Sequence, residues 1–464
     1  MKCGFYEKEI TPPLGNSVPG YFCARPAYDV WDKLYAKAAV FTGSNGTVAI
    51  LILDAVQVKR EFCRKVTERI VEMTGIPADA IVIAATHTHY GIPVGDNIPD
   101  GHPCINEPDY DYLRVLERLA ADTVVLAWKH QEECTLQYAM GWEDQVAYVR
   151  DYVMKDGTVR TNPSARRRDN ILRPYSEKDP ETPVLVAKNA EGKMLGCLFT
   201  HTCHQDSVGE WIISGDYSSE VSRQLKAAYG QDFVSVYMAG CCGDINHCDH
   251  MGGTKRTYIE IGREVAKAVK AAIDEKLVAV EGEQMAFLRR EVPIFRRKAE
   301  PEFLDKCRRK LAGEDVDLDM GWALSVAGYE ALNLPDEVPM PVQILRIGEI
   351  WYFALPGEVY HVFGQRIRAA IPGEKWLLTE LSGTESSYMP VPEVFGTDVY
   401  PEKLSDGSFL ITPYGMDRAY IQEDDLVRVK SGMKELGKTP SRAVGLHEKI
   451  YAAHPYINAI LQAT

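Results

Sequence analysis

Two of the chain's 11 histidines, His87 and His89, stand one residue apart in the stretch Ala85–Gly91, ATHTHYG. An imidazole nitrogen can bind a divalent transition metal or move a proton near neutral pH. Residues two apart on an extended strand face the same way, so both rings can serve one site. Similar chemistry recurs downstream, in His201-Thr202-Cys203-His204-Gln205-Asp206, Cys241-Cys242-Gly243-Asp244, Pro356-Gly357-Glu358 and Leu381–Tyr388. Imidazole and carboxylate together suit zinc, and a catalytic zinc keeps a position open for water. Such an ion lowers the pKa of its water to about 7. HTH is not the HExxH spacing of a helical zinc site, so the reading rests on the stretches together.

Each stretch follows a segment that reads as a strand: Ala80–Ala85, Leu195–Phe199, Phe233–Met238, Ile350–Leu355 and Trp376–Glu380, with Ala49–Asp54 before them. Helical spacing appears between them. Phe62, Val66, Ile70 and Met73 mark Glu61–Thr74, which stops at Gly75. Asp109–Lys129, Ser218–Tyr229 closed by Gly230, and Thr257–Lys276 read as further helices. This alternation predicts an α/β fold, one large domain over 1–464 with a central mixed sheet flanked by helices. Ligands of such sheets bind at the carboxyl ends of the strands, where the polar stretches fall. Arg289–Asp336, charged and punctuated by proline, reads as a helical insertion, and Ser405–Asp417 as a loop. No repeat and no flexible linker divides the chain.

Composition is that of a globular protein, with 45% hydrophobic and 25% charged residues. A net charge of −14 argues against a nucleic-acid partner and against docking on anionic lipid. The longest apolar run, Thr47–Val58, contains Asp54 and falls short of the roughly 20 residues a membrane span needs. The opening MKCGFYEKEITPP has no apolar core of a signal peptide. With 11 cysteines and no CxxC pair, the expectation is a cytoplasmic protein with reduced thiols and a small-molecule substrate. The sequence assigns no oligomeric state.

Taken in order, the motifs resemble the neutral/alkaline (non-lysosomal) ceramidase family. Glu9-Ile10-Thr11-Pro12-Pro13-Leu14-Gly15 with Gly20-Tyr21 is similar to that family's opening ITPPxG…GY. ATHTHYG resembles SATHTHSG. Cys203-His204-Gln205-Asp206 with Ile213–Tyr217 resembles xHPT…ISxDY, and Gly240–Asn246 resembles GxxGDxS/N. Leu355–Glu358 resembles xPGE, and Leu381–Tyr388 resembles LSNxYxxY. The resemblance implies one Zn2+ per chain held by His87, His204, Glu358 and Tyr388. It implies His89 near the substrate as proton carrier or oxyanion binder, with Arg150 and Tyr400 as substrate-holding groups. The activity implied is amide hydrolysis.

Three departures bear on the substrate. Asn246 stands where ceramidases proper carry a serine, which excludes a serine acyl-enzyme there and leaves zinc-hydroxide chemistry untouched. The family's C-terminal immunoglobulin-like domain and a secretory signal are not expected here. The region Pro93–Pro103 is polar and turn-rich. The expected substrate is therefore a soluble N-acyl compound rather than ceramide. Ester or lactone cleavage, and a non-catalytic small-molecule-binding protein, remain open at this point. So does a cysteine enzyme built on Cys241 or Cys242, although small residues packing a tight turn explain that pair as well. His247-Cys248-Asp249-His250 reads as a polar loop or a second metal site. Asp54 reads as a support or a cap, His201 as facing away, and Arg166–Arg168 as solvated surface.

Overall fold

In a computed structural model of the chain, the described residues are 1–391 and three later strands, Phe409–Ile411, Val427–Lys430 and Met433–Lys434. Within 1–391, residues 22–24, 93, 95–108, 156, 158, 164, 296–297, 317, 319, 332–334, 372, 374 and 387 fall outside the description. The chain forms two compact units, Met1–Arg150 with Ser176–Met389, and Asp151–Tyr175 with Pro390–Thr464.

The larger unit is mixed α/β. Its strands are β1 (Lys2–Glu9), β2 (Tyr35–Gly43), β3 (Gly46–Leu53), β4 (Ile81–Ala85), β5 (Glu132–Trp142), β6 (Glu181–Asn189), β7 (Met194–His201) and β8 (Val234–Ala239). They form one sheet in the order β8-β7-β6-β5-β1-β2-β3-β4, and Val278–Ala279 adds to β5. A second sheet holds β9 (Met285–Phe295), β10 (Glu337–Ile347), β11 (Ile350–Ala354) and β12 (Trp376–Thr379) in that order.

Only β3–β4, β7–β8 and β11–β12 pair in parallel among these strands. Parallel neighbours need a crossover, and each pair has a helix between its strands. These are α1 (Arg60–Thr74), α3 (Asp216–Tyr229) and α7 (His361–Ala370). Three βαβ units thus present three pairs of carboxyl ends. Helices α2 (Tyr110–Lys129) and α4 (Tyr258–Glu275) cover the larger sheet, α2 against β1–β3 and α4 against β5 and β6.

Local sequence explains the element ends. Phe62, Val66 and Ile70 bury one stripe of α1, and Gly75 closes it in the left-handed conformation, φ 74. Met73, expected on that stripe, is 40% exposed. Asp109 caps α2 through the Tyr112 amide. Thr257 and Glu260 form a capping box at α4.

The stretch 289–336 differs from the expected helical insertion. Arg289–Phe295 continues β9, and among the described residues only α5 (Pro301–Leu311) and α6 (Met320–Ala331) are helical. β9 is exposed along most of its length, so no burial alternation marks it as a strand.

The two sheets meet at the carboxyl ends. Thr200 at the end of β7 donates its hydroxyl to the Leu378 carbonyl on β12 at 2.7 Å. Beyond β12, the Glu380 amide bonds the Ala239 carbonyl of β8 at 2.9 Å, and the Gly383 amide bonds the Ile83 carbonyl of β4 at 2.9 Å. The chain leaving β12 thereby joins the ends of β4 and β8.

The smaller unit contains two antiparallel three-stranded sheets, one from Asp151–Met154, Val159–Thr161 and Ile171–Pro174, the other from the three later strands. Phe409–Ile411 lies inside the expected loop 405–417, and the rest of that loop is outside the described residues. No helix among the described residues is long and apolar enough to cross a membrane.

Candidate metal centre

His87 is the second residue past β4 and His204 the third past β7. His87 adopts φ 69, a left-handed backbone uncommon for a side-chain-bearing residue. Both rings are buried, each 1% exposed. The residues that follow are tied together. Thr88 and Gln205 form a parallel bridge, and the His89 amide bonds the Gln205 carbonyl at 2.9 Å.

Each ring has its Nδ1 against a backbone carbonyl. His87 Nδ1 is 2.8 Å from the Val56 carbonyl, and His204 Nδ1 is 2.8 Å from that of Cys242. A carbonyl only accepts, so both Nδ1 atoms carry the proton and both Nε2 atoms offer lone pairs. Each anchor comes from the neighbouring parallel strand: Val56 follows β3, and Cys242 follows β8.

Glu358 is 2% exposed and sits past β11. Its Oε2 lies 3.4 Å from His87 Nε2 and 3.2 Å from His204 Nε2. Burial opposes its charge, yet the two imidazoles hold its carboxyl well below the ordinary carboxylate range. Its neighbour Val359 donates its amide to Glu380 Oε2 at 2.7 Å, the anchor again coming from the parallel strand, β12. The two-residue strand Glu358–Val359 pairs in parallel with Tyr388–Met389, with Glu358 opposite Tyr388. Tyr388 is 41% exposed, but its hydroxyl reaches 3.4 Å from His204 Nε2. Burial of that hydroxyl and the nearby Glu358 carboxylate raise its pKa.

Arg150 closes one side. Its guanidinium donates to the Tyr388 hydroxyl at 2.9 Å and the Gly243 carbonyl at 3.2 Å, and lies 3.4 Å from His204 Nε2. His89 is buried with its ring 4.9 Å from that of His87 and 5.8 Å from that of His204. Desolvation, with the neighbouring His87 imidazole adding to it, pushes its pKa well below 6.5, so His89 is neutral. Gly20 explains how it fits. A Cβ there would stand 2.5 Å from His89 Nδ1.

The donor set fits a metal ion. Bonds of roughly 2.0–2.1 Å in a tetrahedron separate ligand atoms by about 3.3–3.4 Å. The Glu358 contacts, and that of Tyr388 with His204, match this spacing. The alternative trio His87, His89 and His204 also has its ligating atoms within 4.8 Å of one another. Glu358 Oε2 offers the same two Nε2 atoms a third donor at tetrahedral spacing. Metal-bound histidines donate their second nitrogen to a fixed acceptor, as His87 and His204 do. Neither ring nitrogen of His89 has such a partner among the described residues.

The other sequence candidates fall into place. Asn246 Oδ1 accepts the Cys248 amide at 2.9 Å, a turn contact with no nucleophilic atom. Cys241 packs in an apolar cluster with Phe353, Trp376 and Leu378. Cys242 donates its thiol to Glu380 at 3.0 Å. Burial pushes both thiols well above their ordinary pKa, which opposes a thiolate role. His201 is buried against Tyr217 and is outside the cluster, its pKa lowered to about 4 by desolvation. Asp54 accepts the Tyr35 amide at 2.7 Å, and burial raises it to about 6. Arg168 is exposed on a 3-10 turn, Ala165–Asn170. Tyr400 and most of Pro93–Pro103 lie outside the described residues.

Sequence reasoning missed the Val56 and Cys242 carbonyls and Glu380 as supports, and named Asp244 without giving it this role. Asp244 accepts the His361 amide at 2.8 Å and its Nδ1 at 2.6 Å, while its own carbonyl accepts the Arg150 amide at 2.8 Å. Backbone acceptors carry no residue signature. Glu380 stands at the end of β12, and Asp244 lies in the loop after β8.

This fold is neutral ceramidase-like. It is similar to the crystal structure of neutral ceramidase from Pseudomonas aeruginosa, with TM-score 0.66 and 16% identity over 85% of this chain and 69% of that one. It is equally similar to a ceramidase complexed with C2, at TM-score 0.66 and 16% identity over 85% and 70% of the two chains. At that identity the likeness is one of fold. A family profile described as Class II Aldolase and Adducin N-terminal domain matches residues 387–462, less than half of the chain. No curated protein matches the sequence.

Proposed function

We propose that the chain is a zinc-dependent hydrolase that cleaves an amide bond in a small soluble N-acyl compound. The observation that carries this reading is Glu358 Oε2 at 3.4 and 3.2 Å from two Nε2 atoms whose rings are oriented by carbonyls. His87, His204, Glu358 and Tyr388 would hold the ion. A divalent ion bound there supplies a Lewis acid and makes water acidic near neutral pH.

The remaining steps belong to the chain. Neutral His89 takes a proton or donates one to the developing oxyanion. Arg150 holds the Tyr388 hydroxyl and offers its guanidinium to the substrate carbonyl side. Tyr400 is the further substrate-holding group implied by the ceramidase resemblance. Burial of the cluster keeps these interactions in a low dielectric, where they are strongest. Ester and lactone bonds present the same carbonyl to the same groups.

The test is turnover of a panel of N-acyl amides, esters and lactones by zinc-loaded protein, with His204→Ala alongside. The reading predicts amide cleavage abolished by that substitution. Turnover that survives in His204→Ala contradicts it.

A further inference from the structure

Just past the candidate centre, a second group of reactive side chains comes together on two loops. His247 and Cys248 follow the short strand Ile245–Asn246, which is pinned to Tyr148–Val149. Asp206 lies two residues past His204, and its carbonyl accepts the Tyr90 hydroxyl at 3.1 Å. Cys248 Sγ is 3.5 Å from His247 Nε2. His247 Nδ1 is 2.9 Å from Asp206 Oδ1. This contact has ion-pair distance without the alignment of a directed hydrogen bond. Thiol, imidazole and carboxylate thus stand in the order that activates a cysteine nucleophile.

The surroundings favour reactivity. The side chains of His247 and Asp206 are 17% and 24% exposed, which limits screening of their charges. Cys248 is half-buried. Its amide is held by Asn246 Oδ1 at 2.9 Å, which sets the start of the loop. Among the described cysteines, Cys134 alone shares this intermediate exposure, and all the others are buried.

We propose that Cys248 is a nucleophilic thiol, activated by His247 and Asp206, that reacts with small uncharged carbon electrophiles. Asp206 holds His247 as the imidazolium, and that charge beside Cys248 Sγ favours loss of the thiol proton to solvent. The thiolate then attacks the electrophilic carbon. With iodoacetamide, a C–S bond forms, the C–I bond breaks and iodide leaves. No metal takes part, so this site stands or falls apart from the hydrolase reading.

The test is alkylation of the intact metal-loaded protein with iodoacetamide at pH 7, followed at each cysteine by peptide mass spectrometry. N-acetylcysteine under the same conditions is the reference, because an ordinary thiol is only a few per cent thiolate at that pH. Cys248 is expected to react at least about tenfold faster than the reference. His247→Gln is expected to bring it down to the reference rate. Reaction of wild-type Cys248 at or below the reference rate overturns the proposal, as does an unchanged rate in folded His247→Gln. If that variant does not fold, the wild-type comparison decides alone.

Discussion

Glu358 and Tyr388 are register partners on two parallel strands of two residues each, although 29 positions of chain separate them. That pairing brings a carboxylate and a phenol to one edge of His204. It repeats a rule seen at all three parallel strand pairs: one strand's end carries a candidate ligand or its segment, and its neighbour's end supplies the support.

Close packing of the loop after β8 makes Gly243 a sensitive position. A Cβ there would stand 2.5 Å from the Glu358 carbonyl oxygen and 2.9 Å from its carbon. Both are backbone atoms, so the strand must shift. Gly243→Ala should cost about 1–3 kcal/mol in denaturant unfolding. Zinc affinity, read by competition with a chelator, should fall about 10–100-fold.

The Asp244–His361 pair gives a pH signature. Burial lowers the His361 pKa, but the Asp244 carboxylate at 2.6 Å more than offsets it, and the net shift is upward from 6.5. A raised folded-state pKa means the pair's stability is fully present below about pH 6.5 and is lost as pH rises through the higher folded value. The melting temperature of wild type should therefore exceed that of His361→Gln by more at pH 6 than at pH 9. An equal gap at both would contradict the assignment.

Buried thiols separate the metal account from a cysteine enzyme built on the adjacent pair. In native protein Cys241 and Cys242 should resist iodoacetamide, and both should label once the chain is unfolded in guanidinium. Rapid native labelling of either, with loss of turnover, would restore the cysteine reading.

How much of this was legible follows from what kind of signal each part carries. The βαβ units were readable because Val66 and Ile70 fall on a helical stripe and the flanking strands are continuous apolar runs. His87 and His204 were readable as polar residues at strand ends. The partnership of Glu358 with Tyr388 was not, because register between distant segments is set by tertiary packing; only the ceramidase resemblance pointed to it. Arg289–Phe295 was misread because an exposed, charged strand lacks the alternation that a buried face imposes. The Val56 and Cys242 carbonyls, which fix the two imidazole tautomers, are backbone atoms available at any residue.

The most direct test of the central claim is metal content by elemental mass spectrometry on purified, zinc-reloaded protein beside His87→Ala. The account predicts about one zinc per chain in wild type and its loss in the variant, with the fold retained by circular dichroism. A folded wild-type protein that takes up no stoichiometric metal would contradict it.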